Sequence, residues 1–130
     1  MLIETRFKIL DEKGDAVKSE AIRNPATGAF MPDPSSPDTE LRDLVKRALD
    51  FFKEGADKKA SDLGHRYDVT KMFFDGPTIE DFPQHEADWV MERAAECYAE
   101  LPLFYGRMRD YFAGQARLAE KDKEPKKRDS

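Results

Sequence analysis

The chain has 130 residues, which is the usual length of one domain and is enough to bury a hydrophobic core. Hydrophobic residues make up 39% and charged residues 38%, against roughly 45–50% and roughly 25% in an average soluble domain, so we expect well-solvated segments. The net charge of −5 argues against a general nucleic-acid-binding protein, which needs a basic face. No apolar run approaches the ~20 residues of a membrane span, and the first residues lack the hydrophobic stretch of a signal peptide, so we expect a cytoplasmic protein.

Residues 1–23 are predicted to form a strand or a β-hairpin. The period-two alternation of a strand with one buried face is carried by Ile3, Thr5, Phe7 and Ile9. Gly14 lies in a turn-forming stretch, and residues 16–22 can return as a second strand. Since an isolated hairpin is marginal in water, this one must pack on a helix or on another subunit.

Residues 24–36 are predicted to be a proline-rich linker. Proline removes backbone donors and pushes the preceding residue toward extended conformations. Phe30 and Met31 lie in the middle of this segment, where a polar linker has no reason to carry them. We expect these two side chains to fasten the segment to the body; the alternative is an arm that docks on a neighbouring subunit.

Residues 37–118 are predicted to form a helical body of about four helices, so the fold class is mainly α. Ser36 as N-cap and Pro37 as the first helical residue predict a helix over 37–54, which Gly55 can end. Residues 56–66 are predicted to be a loop or a frayed helix.

The second half of the body is predicted to hold three further helices. Asp68 can cap a short helix that ends near Phe74, and Pro83 fits the first turn of the next one. Pro102 must kink or break that helix, and the final helix is predicted from Leu103 to about Leu118. Residues 119–130 are charged, contain a proline and are predicted to be a disordered tail.

No catalytic, cofactor-binding or metal-binding signature is recognised, and we expect a protein that is not an enzyme. His65, His85 and Cys97 lack the paired spacing of zinc motifs. His85-Glu86 begins a metalloprotease pattern, but Trp89 stands where the second histidine would be. Cys97 lies on an apolar helical face and is interpreted as a small core residue. An enzyme that uses His85 and nearby acids stays an alternative.

The functional feature that the sequence does indicate is a protein-binding surface made of aromatic side chains. Fourteen aromatic residues are present, several of them as adjacent pairs. Neighbours on a helix point about 100° apart, so either the buried face is wide or one member of a pair is exposed. Exposed aromatic residues mark protein interfaces, and we expect self-association or partner binding. The candidate contact residues are Phe73, Phe74, Phe104, Tyr105 and Tyr111.

The order of parts resembles the tail assembly chaperones of long-tailed bacteriophages, which are small, acidic, largely helical proteins with a short N-terminal strand region and a charged C-terminus. In that family the reading frame commonly shifts near the stop codon at a slippery run, and Lys126-Lys127-Arg128 can be encoded by such an A-rich run. The resemblance implies a cytoplasmic, self-associating protein that holds the helical tape measure protein and recruits tail tube subunits. A small acidic protein that regulates or inhibits a host factor is the alternative.

Overall fold

The structure is a computed structural model that describes residues 1–123, and its fold is mainly helical, as the sequence predicts. The four helices are α1 (Leu41–Asp50), α2 (Ala60–Phe74), α3 (Gln84–Cys97) and α4 (Pro102–Lys123). The strands are short: β1 (Ile3–Glu4), β2 (Ala21–Arg23), β3 (Phe30–Pro32) and β4 (Thr78–Ile79). Helix α1 packs against α2 and α3, and α4 packs against α3.

The N-terminal residues pair partly as predicted, since the Val17 N–H donates to the Ile9 carbonyl, and partly with a segment distant in the sequence. Strand β1 is antiparallel to β4, with Ile3 opposite Ile79. The predicted hairpin is present but short, with a bridge between Leu10 and Ala16, and the end of its predicted return strand, Ala21 and Ile22, pairs with β3 instead. The alternation predicted the buried side chains of Ile3, Thr5 and Ile9 correctly but was wrong for Phe7, which is 37% exposed. The choice of partner strand depends on tertiary packing that local patterning does not carry.

Three extended segments meet beside α1 and hydrogen-bond to one another in a cycle. The Ile9 N–H donates to the Thr39 carbonyl (3.0 Å), the Thr39 N–H to the Val17 carbonyl (2.6 Å), and the Val17 N–H to the Ile9 carbonyl (2.9 Å). Residues 37–40 are therefore extended and cannot belong to the first helix. Each of these backbone groups would otherwise lack a partner at a site where Ile9 and Thr39 are buried.

Helix α1 is shorter than the predicted 37–54. It begins at Leu41 after an N-cap at Glu40, whose N–H donates to the Asp43 carboxylate at 2.9 Å. The predicted cap, Ser36, instead donates its hydroxyl to the Asp33 carbonyl at 2.7 Å. Because residues 37–39 hydrogen-bond to the neighbouring extended segments, the helix begins about one turn later than predicted.

Helix α2 is longer than predicted, because residues 60–66 are helical and were expected to be a loop or a frayed helix. Arg66 lies on its buried face and is 8% exposed. Its Nη1 donates to the carbonyls of Leu49 (3.1 Å) and Phe51 (2.8 Å), at the C-terminal end of α1. A buried arginine that ties α2 to α1 has no periodicity signal in the sequence.

The break at Pro102 is confirmed. Helix α3 ends at Cys97, and Pro102 is the first residue of α4. Helix α4 continues to Lys123, five residues beyond the predicted end, since residues 116–123 are mostly good helix formers. The predicted disordered tail therefore begins too early at 119, and its remaining residues, 124–130, lie outside the described residues.

The core lies between the helices and the N-terminal segment, residues 1–11. Its largest fully buried side chains include Tyr98, Phe73, Phe82, Ile3 and Ile9. The buried Tyr98 hydroxyl donates to the Leu44 carbonyl at 2.7 Å and so fastens the α3–α4 turn to α1. Within residues 1–123 no helix is long and apolar enough to cross a membrane.

Candidate protein-interaction surface

Phe73, one of the predicted contact residues, is a core residue. It is fully buried and packs edge-on against Phe82, with ring centroids 5.4 Å apart. A partner cannot reach this ring without opening the core, so Phe73 is corrected from a contact residue to a packing residue.

Three other predicted contact residues are half-buried and join elements within the chain. Tyr111 stacks on Phe7 at 4.4 Å, and its hydroxyl accepts a hydrogen bond from the Glu4 N–H at 2.6 Å. Burial raises the pKa of the Tyr111 phenol. Phe104 meets Tyr98 edge-on at 5.7 Å, and Tyr105 packs against the core. Their positions are explained by intramolecular packing.

Phe74 is the predicted contact residue that stays open to solvent. Its side chain is 41% exposed, and the Arg42 guanidinium lies 5.0 Å from the ring centroid. The adjacent pair Phe73–Phe74 therefore divides as expected for neighbours about 100° apart on a helix, with one ring in the core and one at the surface.

Phe74 ends a row of side chains that we call the α2 stripe: Leu63, Tyr67, Thr70 and Phe74. Their spacing of four, three and four residues places them on one face of the helix, as in one strand of a coiled-coil seam. Leu63 is 44% exposed and Tyr67 is 66% exposed. The stripe is about 16 Å long at 1.5 Å per residue.

The rest of α2 holds the α2 stripe in a fixed orientation. Arg66, Val69 and Phe73 are buried on another face of the helix, against α1 and the core. Sequence reasoning missed Leu63 and Tyr67 because Gly64 and the neighbouring polar residues indicated a loop. The four-three-four spacing that ends at Phe74 was the signal that could have found them.

The histidines form a small polar cluster on α2 and α3. His65 stacks on Trp89 at 3.9 Å, and its Nε2 lies 2.7 Å from the Glu86 carboxylate. The His85 Nε2 lies 3.4 Å from the other oxygen of Glu86. No group of three potential metal ligands occurs in the described part of the chain. His65 thus joins α2 to α3 through its contacts with Trp89 and Glu86.

Cys97 is half-buried and was expected to be a small core residue. Its Sγ lies 3.7 Å from the Arg47 carbonyl. Desolvation raises the pKa of the thiol, which keeps it protonated and a poor nucleophile at neutral pH.

Within residues 1–123, three apolar side chains of the α2 stripe are thus exposed: Leu63, Tyr67 and Phe74. His65 and Cys97 contact neighbouring elements, whereas the His85 side chain is exposed. Comparison of the chain with protein-family models, with curated proteins and with solved structures found no match.

Proposed function

We propose that this protein is a non-enzymatic tail assembly chaperone of a long-tailed bacteriophage, acting in the cytoplasm of the host cell. It binds the helical tape measure protein, helps recruit tail tube subunits, and associates with further copies of itself. The observation that carries the proposal is the α2 stripe, a row with the spacing of a helix–helix seam in which Leu63, Tyr67 and Phe74 are exposed and Thr70 is half-buried.

A second helix is the partner that this geometry fits best. Amphipathic helices are recognised through anchors three and four residues apart, which is the spacing of the α2 stripe. Tyr67 and Phe74 supply two aromatic anchors, the residue class that most often dominates binding energy at interfaces. A partner helix that crosses the stripe would cover Leu63 as well and leave the charged flanks of α2 in water.

The stripe is also suited to a partner that must later be released. Its length of about 16 Å spans only three helical turns, which is small for a permanent interface. The charge balance supports a protein partner over nucleic acid, since the chain carries a net charge of −5.

Co-expression with the tape measure protein of the same phage tests the proposal. Wild-type chain is expected to keep that protein in the soluble fraction and to co-purify with it. Tyr67→Glu places a charge in the centre of the stripe and should weaken binding at least tenfold, which corresponds to about 1.4 kcal/mol. Leu101→Glu is the matched control, because Leu101 is 48% exposed and lies in the α3–α4 turn.

Equal binding by wild type and Tyr67→Glu would overturn the assignment to the α2 stripe. Failure of the wild-type chain to bind the tape measure protein, together with capture of a defined host enzyme, would favour the regulatory or inhibitory alternative. The nucleotide sequence around Lys126 gives an independent check, since a slippery heptamer with an overlapping downstream frame is expected there.

A further inference from the structure

Strands β2 and β3 with their connecting turn form a projecting hairpin, residues 21–32, which we call the arm. Its apolar side chains are exposed: Phe30 by 70%, Ile22 by 44% and Met31 by 40%. The expectation that Phe30 and Met31 fasten this segment to the body is therefore wrong for Phe30, whose ring lies in solvent beside Arg23 at 5.1 Å. Such exposure has a cost in water, and burying a phenylalanine offers about 150–250 Å² of contact.

The arm is ordered by its own turn, although little of it is buried. Asn24 N–H donates to the Ala29 carbonyl at 2.7 Å, and Gly28 N–H donates to the Asn24 carbonyl at 2.7 Å. Gly28 has a φ of +70°, a backbone conformation that favours glycine. The Asn24 side chain accepts from the Ala26 N–H at 2.8 Å. Because the hairpin is already formed, binding would lose little conformational entropy.

A depression near the C-terminal end of α4, which we call the α4 groove, is a concave surface that could receive such a hairpin. Its volume is about 740 Å³, and its apolar floor and walls include Met1, Leu2, Phe82, Pro83 and Leu118. Three carboxylates line it: Glu80, Asp81 and Glu120. This size lies within the range of about 300–1,000 Å³ that is typical of binding pockets.

The walls of the α4 groove are held in place by hydrogen bonds. The Met1 nitrogen donates to the Phe82 carbonyl at 2.9 Å, and the Phe82 N–H donates back to the Met1 carbonyl at 2.9 Å. Gln115 of α4 donates its amide to the Leu2 carbonyl at 2.6 Å. The groove is therefore a preformed feature with one wall from the N-terminal segment and one from α4.

The arm and the groove lie at opposite ends of α4. The arm borders a depression that it shares with Leu103 and Phe104, whereas the residues of α4 that line the groove are Gln115, Ala116, Leu118, Ala119 and Glu120. Ala116 lies twelve positions after Phe104 on the helix, which is about 18 Å. A copy of the chain thus presents the arm at one end and the groove at the other.

We propose that the arm of one copy inserts Phe30 and Met31 into the α4 groove of a second copy. Charge complementarity favours this occupant, because Arg23 is the only charged residue between Ala21 and Pro32, and the three carboxylates of the groove outnumber its one cation, the Met1 ammonium. The contact is head-to-tail, since the two surfaces differ, and it can continue from copy to copy. The inference deepens the proposed self-association and rests on that part of the proposed function.

The small size of the contact between arm and groove predicts weak association between copies. A hairpin of twelve residues is smaller than the roughly 20–30 residues per side of a standard interface. Association should therefore be reversible and depend on protein concentration. It should also weaken as salt is raised, because Arg23 and the carboxylates stay near solvent.

Sedimentation velocity on the purified chain tests the proposal without any partner protein. Wild type should show species larger than a monomer that grow with concentration. Phe30→Asp places a charge among the apolar side chains of the arm, and Leu118→Lys places a charge in the apolar wall of the groove. Each variant should sediment as a monomer. Mixing these two variants should restore a one-to-one dimer, because one still has its groove and the other still has its arm. Asp81→Lys serves as a second groove variant, and circular dichroism checks that every variant is folded.

Tyr67→Glu is the matched control, since it alters the α2 stripe and leaves both the arm and the α4 groove intact. It should associate like wild type, so loss of tape measure binding and loss of self-association are separable. A wild type that is monomeric at all concentrations would overturn the proposal. The same holds if the Phe30→Asp protein associates normally, or if the mixed arm and groove variants do not pair.

Discussion

Asp38 joins three extended segments through one carboxylate. The Lys18 ammonium donates to its Oδ1 at 2.7 Å, and the Lys8 ammonium donates to its Oδ2 at 2.9 Å. These hydrogen bonds, that of Lys18 first, lower the pKa of Asp38 from 3.8 to about 2. Folding therefore favours the ionised carboxyl. The stability that follows is fully present above the unfolded pKa and is lost as the pH falls toward the folded one.

We predict that Asp38→Asn flattens the fall in melting temperature between about pH 4 and pH 2, since the neutral amide has no proton to gain in that range. An NMR titration of the Asp38 carboxyl gives the pKa directly. Lys18→Met should raise that pKa, whereas Lys13→Met should leave it unchanged because the Lys13 side chain is exposed in the turn after Asp11. A wild-type Asp38 that titrates at its ordinary value of 3.8 would contradict the prediction.

At the residue scale, the sequence predicted that two adjacent aromatic residues on a helix face different directions, but it could not predict which of the two is buried. The aromatic pair at 73 and 74 required one ring to face away from the core, and the structure shows which ring that is. The pairs at 104–105 and 111–112 do not divide in this way, because Phe104 and Tyr105 pack against the core and the N-terminal segment covers Tyr111. Phe7, which is more than 100 residues away from Tyr111 in the sequence, stacks on its ring. No local pattern contains that contact.

At the element scale, the end of α1 is set by a residue of α2. Arg66 donates to two carbonyls at the C-terminal end of α1, and its Nε donates to Asp62 at 2.8 Å. Its guanidinium also lies 4.2 Å from the Phe52 ring centroid. A cation at this end satisfies carbonyls that have no partner within the helix and complements the helix dipole.

We predict that Arg66→Met lowers the free energy of unfolding by about 2–4 kcal/mol, because the buried Leu49 carbonyl, the part-buried Phe51 carbonyl and Asp62 lose their charged donor. Urea denaturation measures the change. Lys46→Met is the control: it removes an exposed pair with Asp50 on α1 and should cost only about 0.3–0.5 kcal/mol. Equal losses in the two variants would show that Arg66 does not fasten the end of α1.

Elements defined by local chemistry were predicted better than elements defined by distant partners. The helix break at Pro102 follows from its missing N–H, and α3 and α4 are found on either side of it. Helices α1 and α2 were misjudged at the ends where strand pairing and Arg66 act. Residues 24–32 of the arm were predicted as part of a linker because its prolines were visible in the sequence, whereas the turn that orders it depends on the hydrogen bonds of Asn24 and the positive φ of Gly28.

At the scale of the whole molecule, the N-terminal segment (residues 1–11) connects α4 to α1. Backbone N–H groups at the start of α1 donate to this segment, with Leu41 bonded to the Phe7 carbonyl (2.8 Å) and Arg42 to the Thr5 carbonyl (2.9 Å). From the other side, Arg107 of α4 donates its Nε to the Leu10 carbonyl at 2.9 Å and its Nη2 to the Asp11 carbonyl. Helix α4 is thus held by α3 and by this segment.

We predict that Arg107→Met loosens α4 while leaving α1 protected. Two carbonyls of the N-terminal segment lose a charged donor, which should lower the local opening free energy by about 1–3 kcal/mol. Hydrogen exchange followed by mass spectrometry should then show at least tenfold faster exchange in peptides from residues 8–12 and from the first half of α4. Arg109→Met is the control on the same helix, because the Arg109 side chain is exposed and pairs only with its neighbour Asp110 among the described contacts. Faster exchange in α1 as well would mean that α1 and α4 open together, and that the N-terminal segment is part of one cooperative unit instead of a separate connection between two.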